Sequence, residues 1–261
     1  MGKISVIISS IKQGIDLKDM VDAYLLPLKD LSINYPNTFS ISEIKKIQKL
    51  GKEVYVFINK NIHNNELDIL KDNLRKIEKL NVDGIIFYDI AIVQLKKELN
   101  LKTDLVWHQE HLTTNYGTAN YWYDKGVKYT YLSSELTKRE IEEIKQKAKC
   151  KTFINVFGYL PMFTSRRHLV KNYMDTFKIK ENGTKIYKEG KYYNIDDTKN
   201  GTTVYSDYIL NIKEDMSADY LVFNGNMIEE KIFKEVLKDY KNNKFKEETG
   251  FLYKETIYKV K

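Results

Sequence analysis

Polar side chains that could take part in catalysis follow several of the short apolar runs in this sequence. They are carboxylates, an amide and an imidazole, and carboxylates and imidazoles are the usual general acids and bases of enzymes. If the apolar runs are parallel strands, their carboxyl ends meet at one face of the fold, and these groups could line one pocket there. The alternative is that each polar residue only marks the point where a strand leaves the core. The candidate catalytic residues are Asn59, Asp89, His108 and Glu135.

The segment His108-Gln109-Glu110-His111 has a spacing that suits two metal ligands. With Asp89 or Glu135 as a third ligand it could complete a site of two histidines and one carboxylate. A divalent metal is therefore one interpretation and a hydrogen-bonded structural histidine the other, so no residue is assigned as a metal ligand. The one cysteine, Cys150, cannot supply the thiolates of an iron–sulfur cluster. No cluster is expected.

Two of the four arginines are adjacent, at Arg166 and Arg167. They follow an apolar segment with a proline, predicted to be a loop, and precede a short helix that begins at Leu169. Two guanidinium groups could clamp a carboxylate or a phosphate, whereas pairing with Asp196-Asp197 is the alternative. The candidate substrate-binding residues are Gln109, Gly158, Tyr159, Ser165, Arg166, Arg167 and Tyr173.

The net charge of +7 and the pI near 9.0 favour a nucleic-acid partner. The segment Tyr121-Trp122-Tyr123, interpreted as an aromatic loop, could stack on an unpaired base. Interleaved lysine and glutamate on solvated helix faces, together with an AT-rich coding sequence, is the alternative cause of the excess charge. No apolar run approaches the roughly 20 residues of a membrane span, and no signal-like stretch opens the chain, so no membrane contact and a cytoplasmic location are expected.

Eight short apolar runs alternate with amphipathic stretches, which predicts a (β/α)8 TIM-type barrel within the α/β class. A doubly wound open sheet is the alternative, but it does not explain why there are eight units. Residues 183–212 interrupt the alternation with three β-like runs and turn signals, so they are predicted to form a small β excursion between the seventh and eighth strands of a single domain, 1–261. The expected barrel strands are Ile4–Ser9, Ala23–Leu28, Glu53–Asn59, Gly84–Asp89, Asp104–Gln109, Tyr129–Ser133, Thr152–Gly158 and Asp219–Asn224.

The segment Phe157-Gly158-Tyr159-Leu160-Pro161-Met162-Phe163, followed by Ser165-Arg166-Arg167 and Asn172-Tyr173, resembles peptidase family U32, the collagenase-like family. The likeness is to its shorter Gram-positive members. Further matches occur in the same order along the chain: Val54–Asn59 with His63-Asn64, then Thr113, Asn115 and Asn120–Trp122, then Leu132–Thr137, then Asp197 to Ser206. The family's signature glutamate falls at Phe153 and two signature cysteines fall at Pro161 and His168, so the resemblance does not imply a cluster.

The resemblance implies a choice of functions, because members of the family are linked to proteolysis, to hydroxylation of transfer RNA or ribosomal RNA, and to quinone biosynthesis. The preferred hypothesis is hydroxylation of the wobble uridine of tRNA, either alone or as the short partner of a longer U32 homologue. A U32-type peptidase that uses His108 and Glu135 is the first alternative. A non-catalytic barrel that binds an anionic ligand is the second, so whether the chain is an enzyme stays open.

Overall fold

The computed structural model describes residues 2–110, 112–179 and 185–254. Within these ranges the chain forms thirteen strands. They are β1 (Lys3–Ile7), β2 (Ala23–Pro27), β3 (Glu53–Ile58), β4 (Gly84–Phe87), β5 (Asp104–His108), β6 (Tyr129–Tyr131), β7 (Lys151–Gly158), β8 (Pro161–Ser165), β9 (Lys185–Lys188), β10 (Lys191–Thr198), β11 (Gly201–Tyr205), β12 (Leu210–Asn211) and β13 (Tyr220–Asn224).

Eight of these strands close into a parallel barrel in the order β1, β2, β3, β4, β5, β6, β7, β13. The circle is complete because β13 pairs with β7 on one side and with β1 on the other, where Ile7 lies opposite Asn224. All eight predicted strands are present, with ends that differ by at most two residues from those expected. The fold is therefore the predicted (β/α)8 TIM-type barrel.

Helices connect the barrel strands and cover the barrel from outside. They are α1 (Ile11–Leu17), α2 (Ile41–Gln48), α3 (Leu67–Leu80), α4 (Ala91–Glu98), α5 (Tyr116–Asp124), α6 (Lys138–Lys147) and α8 (Glu230–Lys238), with a 3-10 turn at Asn64–Glu66 before α3. The remaining helix, α7 (Leu169–Phe177), contacts β10 and β11 instead. Local capping explains where several of them begin. The Ser40 hydroxyl and the Glu43 carboxylate form a capping box at the start of α2, and Thr137 and Glu140 do the same for α6.

Aromatic rings fill the barrel interior near the amino ends of the strands, because alternate residues of each strand point inward. Phe153 stacks on Tyr220 with ring centroids 4.1 Å apart, and Tyr55 and Tyr129 meet both rings edge-on. Below this layer, at the amino ends of the strands, the Tyr220 hydroxyl donates to Glu53 Oε2 at 2.9 Å. The amino end of the barrel is thus closed by packed rings. Phe153, at the position of the family's glutamate, belongs to this layer.

A second sheet of four antiparallel strands, in the order β8, β11, β10, β9, follows β7 in the chain. The three β-like runs predicted within 183–212 form β9, β10 and β11, while residues 183 and 184 lie outside the described residues. The predicted loop at Pro161–Ser165 is wrong, because this segment is β8 and pairs with β11, placing Phe163 opposite Val204. A partner about 40 residues away leaves no local mark on a short apolar segment. The predicted short helix at Leu169 is α7.

The predicted aromatic loop is also wrong, because Tyr121-Trp122-Tyr123 lies in α5. Trp122 is buried and stacks on Trp107 at 4.2 Å between ring centroids, so it belongs to the core. Only its neighbours Tyr121 and Tyr123 are exposed. The described helices include none with the length and apolar character needed to cross a membrane.

Candidate active site at the barrel mouth

A pocket of about 130 Å³ opens at the carboxyl ends of the barrel strands. Its walls combine aromatic rings with a few carboxylates and amides, which is typical of small-molecule sites. Lining residues come from the ends of β1, β5, β6 and β13, from the middle of β7 and the loop that follows it, and from the segments after β2 and β11. The polar and aromatic lining residues are Tyr35, His108, Glu110, Tyr131, Ser134, Glu135, Asn155, Tyr159, Tyr208, Asn224 and Phe251.

His108 is the last residue of β5, and its side chain points into the barrel. It is 5% exposed. Its ring lies 4.4 Å from the Tyr131 ring and 5.8 Å from the Phe57 ring, measured between centroids. Packing against two rings fixes the orientation of the imidazole, so the structure brings this predicted residue into the pocket wall.

Asn155 holds the polar part of the pocket in place from the middle of β7. Its Oδ1 accepts a hydrogen bond from the Tyr131 hydroxyl at 2.6 Å, and its Nδ2 donates to Ser134 Oγ at 2.9 Å. Burial, followed by the nearby Glu110 charge, raises the pKa of Tyr131, so the phenol stays protonated and keeps donating to Asn155. A carboxamide oxygen and nitrogen each have capacity for one more hydrogen bond, which a ligand could complete.

Two carboxylates, Glu110 and Glu135, give the pocket a negative lining. Glu110 is half-buried and accepts a hydrogen bond from Asn34 Nδ2. Glu135 is exposed at the rim, and its backbone N–H donates to Ser133 Oγ at 3.2 Å. The structure therefore places the two predicted acid–base residues, His108 and Glu135, in one pocket.

Asn59 and Asp89, the other two candidate catalytic residues, are not among the residues that line this pocket. Both side chains hold loops. Asn59 exchanges two hydrogen bonds with the backbone of Ile33, at 3.1 and 3.0 Å. The Asp89 carboxylate accepts from the N–H groups of Ile62 and Ala91, at 2.8 and 2.9 Å. These contacts suit residues that shape the barrel mouth.

The arginine pair lies outside the pocket, after β8. Arg166 reaches the loop after β3, where its guanidinium donates to the Asn61 carbonyl at 3.2 Å and lies 3.5 Å from Glu66. Burial opposes ionisation of Glu66, but Lys60, the N–H of His63 and Arg166 together lower its pKa to about 2. The alternative pairing with Asp196-Asp197 is wrong for Arg166. Within the described ranges the Arg167 guanidinium makes no hydrogen bond or ion pair, so it stays available to an anion.

The remaining predicted binding residues divide between the pocket and the surface. Tyr159 lines the pocket and follows Gly158, the last residue of β7. Ser165 accepts from the Arg167 N–H at 3.2 Å. Gln109 and Tyr173 are outside the pocket lining, and Tyr173 is exposed on α7 beside Phe177.

Among the described residues no group of three or more histidine, cysteine, aspartate or glutamate side chains is arranged to hold a metal ion. His111, the second histidine of the predicted ligand pair, lies outside the described residues. Cys150 is buried just before β7, at the barrel end opposite the pocket, and burial raises the pKa of its thiol to about 11. It is thus an unreactive thiol far from the mouth.

Asn155, Tyr131 and Glu110 are site residues that sequence reasoning missed. Asn155 carries the clearest available signal, since it is the one amide within the apolar run from Phe153 to Phe157. A polar side chain in the middle of a buried strand needs a partner, and in a barrel that partner lies inside. Tyr131 has no comparable signal, because a tyrosine in a strand is common for packing reasons alone.

These features define a TIM-type barrel whose polar pocket lies at the carboxyl ends of the strands, the usual place for an active site in this fold. The sequence profile described as peptidase family U32 matches residues 14–232. The chain belongs to this family.

Similar proteins include two tRNA hydroxylation proteins. The chain is 31% identical to tRNA hydroxylation protein P2 of Bacillus subtilis (strain 168) over 199 residues, which are 70% of this chain and 64% of that protein. It is 29% identical to tRNA hydroxylation protein P of Escherichia coli (strain K12) over 133 residues, 51% of this chain and 29% of that protein. The matched part thus spans less than two thirds of either relative. The solved structure of the U32 peptidase Mk0906 superposes with a TM-score of 0.57 at 12% identity, covering 86% of this chain and 92% of that one, and shows the shared fold.

Proposed function

We propose that the protein acts in tRNA modification, as a factor for hydroxylation of the wobble uridine. The observation that carries this proposal is the match to proteins named for tRNA hydroxylation, combined with a pocket of aromatic and polar side chains at the barrel mouth. The proposed partners are tRNA and a longer U32 homologue, with this chain acting alone or as the short partner. A tRNA substrate would place the protein in the cytoplasm.

The size of the pocket supports a single nucleobase as its ligand. A cavity of roughly 150 Å³ holds one benzene molecule, and this pocket has about 130 Å³. Enzymes that act on a base take it out of the stack and hold it between apolar rings while polar groups read its edge. Tyr131, Tyr35 and His108 supply rings here, and the Asn155 amide supplies one donor and one acceptor.

The distribution of charge supports the same arrangement. Glu110 and Glu135 make the pocket unsuitable for a phosphate, whereas Arg167 lies outside it, where a phosphate of the RNA backbone could reach. The base would therefore enter the pocket while the backbone stays at the surface. In this arrangement His108 and Glu135 are the proposed acid–base residues, and Asn59 and Asp89 position the loops around them.

The single cysteine limits what this chain could contribute to redox chemistry. Fe–S clusters are held by several thiolates, and Cys150 is buried at the far end of the barrel. We therefore propose that the chain carries no iron–sulfur cluster. Hydroxylation that needs such a cluster would then use one held by a longer partner.

The experiment is nucleoside mass spectrometry on tRNA from a strain that lacks this gene and any longer U32 gene. Each gene is restored alone and then both together, so that the separate and the joint contributions are measured. We expect hydroxylated wobble uridine to return with this gene alone, or only with both. Asn155→Ala should abolish the contribution of this chain, because the pocket loses its amide, while Asn81→Gly on the outer end of α3 should restore modification like the wild type.

A profile to which this gene adds nothing would contradict the proposal. Cleavage of peptides by the purified protein, lost in both His108→Ala and Glu135→Ala, would instead support the peptidase alternative.

A further inference from the structure

An exposed pair of tyrosines stands on the hairpin formed by β9 and β10. Tyr187 and Tyr192 are directly opposite each other across the two strands, and their ring centroids are 4.9 Å apart. Their exposed fractions are 62% and 64%. Two adjacent rings that contact solvent so fully contribute little to the core, so their position suggests a role in binding.

The pair lies on the face of the small sheet that turns toward the barrel. Side chains alternate between faces along β10, so Tyr192 shares its face with Asn194 and Asp196. Asp196 lies opposite Thr203, which is buried and donates to Asn34 in the barrel loop after β2. The tyrosine pair is therefore the outer, uncovered end of a face whose inner end packs on the barrel mouth.

An ion pair ties this hairpin to the rim of the pocket. Lys191, the residue before Tyr192, lies 2.8 Å from the Asp207 carboxylate. Tyr208, the residue after Asp207, lines the pocket. A chain of nucleotides that leaves the pocket at this rim would pass the hairpin that carries the tyrosine pair.

The surface around the pair is positively charged. Residues 161–179 and 185–205, which contain the small sheet and α7, hold eight lysines and arginines and four acidic residues. Within the described residues Lys185, Lys178 and Arg167 have no ion-pair partner. Lys188 has only Glu189, at 3.8 Å and with both side chains exposed, a weak pairing. The combination of exposed rings and unneutralised lysines matches single-stranded nucleic acid, whose bases stack and whose phosphates are negative.

We propose that Tyr187 and Tyr192 form a stacking platform for the nucleotides beside the base held in the pocket, with Lys185, on the same face of β9 as Tyr187, contacting a phosphate. This inference rests on the proposed function, since it takes RNA as the occupant. The platform would hold unpaired nucleotides of the anticodon loop while the wobble base of the same loop occupies the pocket.

The test measures binding of a fluorescently labelled RNA anticodon stem-loop to the purified full-length chain, alone and with the longer homologue, over a range of salt concentrations. The first variant is Tyr187→Ala with Tyr192→Ala, and its matched control is Tyr187→Phe with Tyr192→Phe, which keeps both rings. Circular dichroism and melting curves confirm that each variant is folded.

We expect the double alanine variant to bind about tenfold more weakly or worse, because stacking of each base is lost. The double phenylalanine variant should stay within about twofold of the wild type. Lys185→Ala should weaken binding and reduce the slope of log K against log salt by about 0.7, since one phosphate contact disappears. The tyrosine variants should leave that slope unchanged.

Equal affinity of the double alanine variant and the wild type would overturn the platform, as would the absence of any RNA binding by the wild type. Loss of binding to the longer homologue, with unchanged RNA affinity, would overturn it too and assign the surface to a protein partner. The nucleoside profile of the deletion strain separates the two proposals. An altered profile with no effect of the tyrosines leaves the proposed function standing without the platform, whereas an unchanged profile contradicts the function itself.

Discussion

Gly158 ends β7 with a backbone conformation that L side chains rarely adopt, a φ of +118°. A Cβ atom on this residue would lie 2.5 Å from the Asn224 carbonyl oxygen and 2.7 Å from the Asn224 Cβ. Both atoms belong to Asn224, which is held in place as the last residue of β13 and part of the pocket wall. The close approach of β7 and β13 at the barrel mouth therefore depends on the absence of a side chain here.

Gly158→Ala should lower the free energy of unfolding by about 3 kcal/mol, because backbone strain and overlap with β13 add together. Gly51→Ala is the matched control, since Gly51 also has a positive φ, +73°, but a Cβ there would have no atom within 4 Å. The control should lose only about 1 kcal/mol. Urea unfolding of the two variants and the wild type measures both values. Equal losses at the two positions would show that β13 yields and that the contact is unimportant.

At the level of single residues, the sequence predicted the pocket only in part. His108 ends a strand and Glu135 follows one, and a residue at the carboxyl end of a parallel strand lies at the barrel mouth whichever way its side chain points. Asn59 and Asp89 satisfy the same rule, yet their side chains bind backbone groups of neighbouring loops. The rule predicts where a residue lies. It does not predict which way the side chain turns, because this depends on loops whose conformation has no local pattern.

Asn34 connects two elements that are far apart in the chain. It follows β2, has a φ of +66°, and is buried. Its Oδ1 accepts hydrogen bonds from Thr164 of β8 at 2.6 Å and from Thr203 of β11 at 3.0 Å. Its Nδ2 donates to Glu110 in the pocket. One amide thus anchors the small sheet to the barrel and also orients a pocket carboxylate.

Asn34→Gly should detach the small sheet locally, because the glycine keeps the positive φ and removes the three hydrogen bonds. We expect faster hydrogen exchange in β8 and β11 and unchanged exchange in β3 and β4, measured by mass spectrometry. The same substitution at Asn81, a left-handed residue at the end of α3, should leave β8 and β11 unaffected. Faster exchange spread evenly over the barrel would contradict this role of Asn34.

Elements were easier to predict than their partners. The regular spacing of apolar residues marks α3, and alternation of short apolar runs marks the barrel strands. β8 has no such pattern, since its pairing with β11 is visible only in three dimensions. The aromatic run in α5 was mistaken for a binding loop because ring content alone does not distinguish a buried tryptophan from an exposed one. Tyr121 and Tyr123 of this run are exposed, and Tyr187 and Tyr192 form a second exposed pair on the hairpin of β9 and β10.

The small sheet enters and leaves the barrel at neighbouring points, which makes it an appendage of the whole molecule. Leu160 and Ser206 are paired there, since the Leu160 N–H donates to Ser206 Oγ at 3.1 Å and the Ser206 N–H donates to the Leu160 carbonyl at 2.8 Å. The barrel hydrogen bonds of β7 and β13 do not involve residues between these two. Excursions of this kind are compatible with an independent barrel core.

Replacement of residues 161–205 by a short glycine-serine linker should therefore leave a barrel that unfolds cooperatively. Its stability should fall, because the buried Tyr205 is removed from the barrel mouth, and RNA binding should be lost with the tyrosine pair. Circular dichroism during urea unfolding tests the first expectation, and titration with the anticodon stem-loop tests the second. A shortened chain without a cooperative transition would mean that the small sheet is part of the folding core.

The ring layer of Tyr55, Tyr129, Phe153 and Tyr220 makes the barrel a blind tube. Any ligand must therefore enter and leave through the mouth of the barrel. A strand cannot be threaded through the molecule, so only a group that swings out from its chain reaches the bottom of the pocket. A product molecule in the pocket would also block the next substrate molecule until it dissociates. If the proposed reaction takes place in this pocket, accumulated product should compete with substrate, and the rate of product release should set the upper limit of turnover.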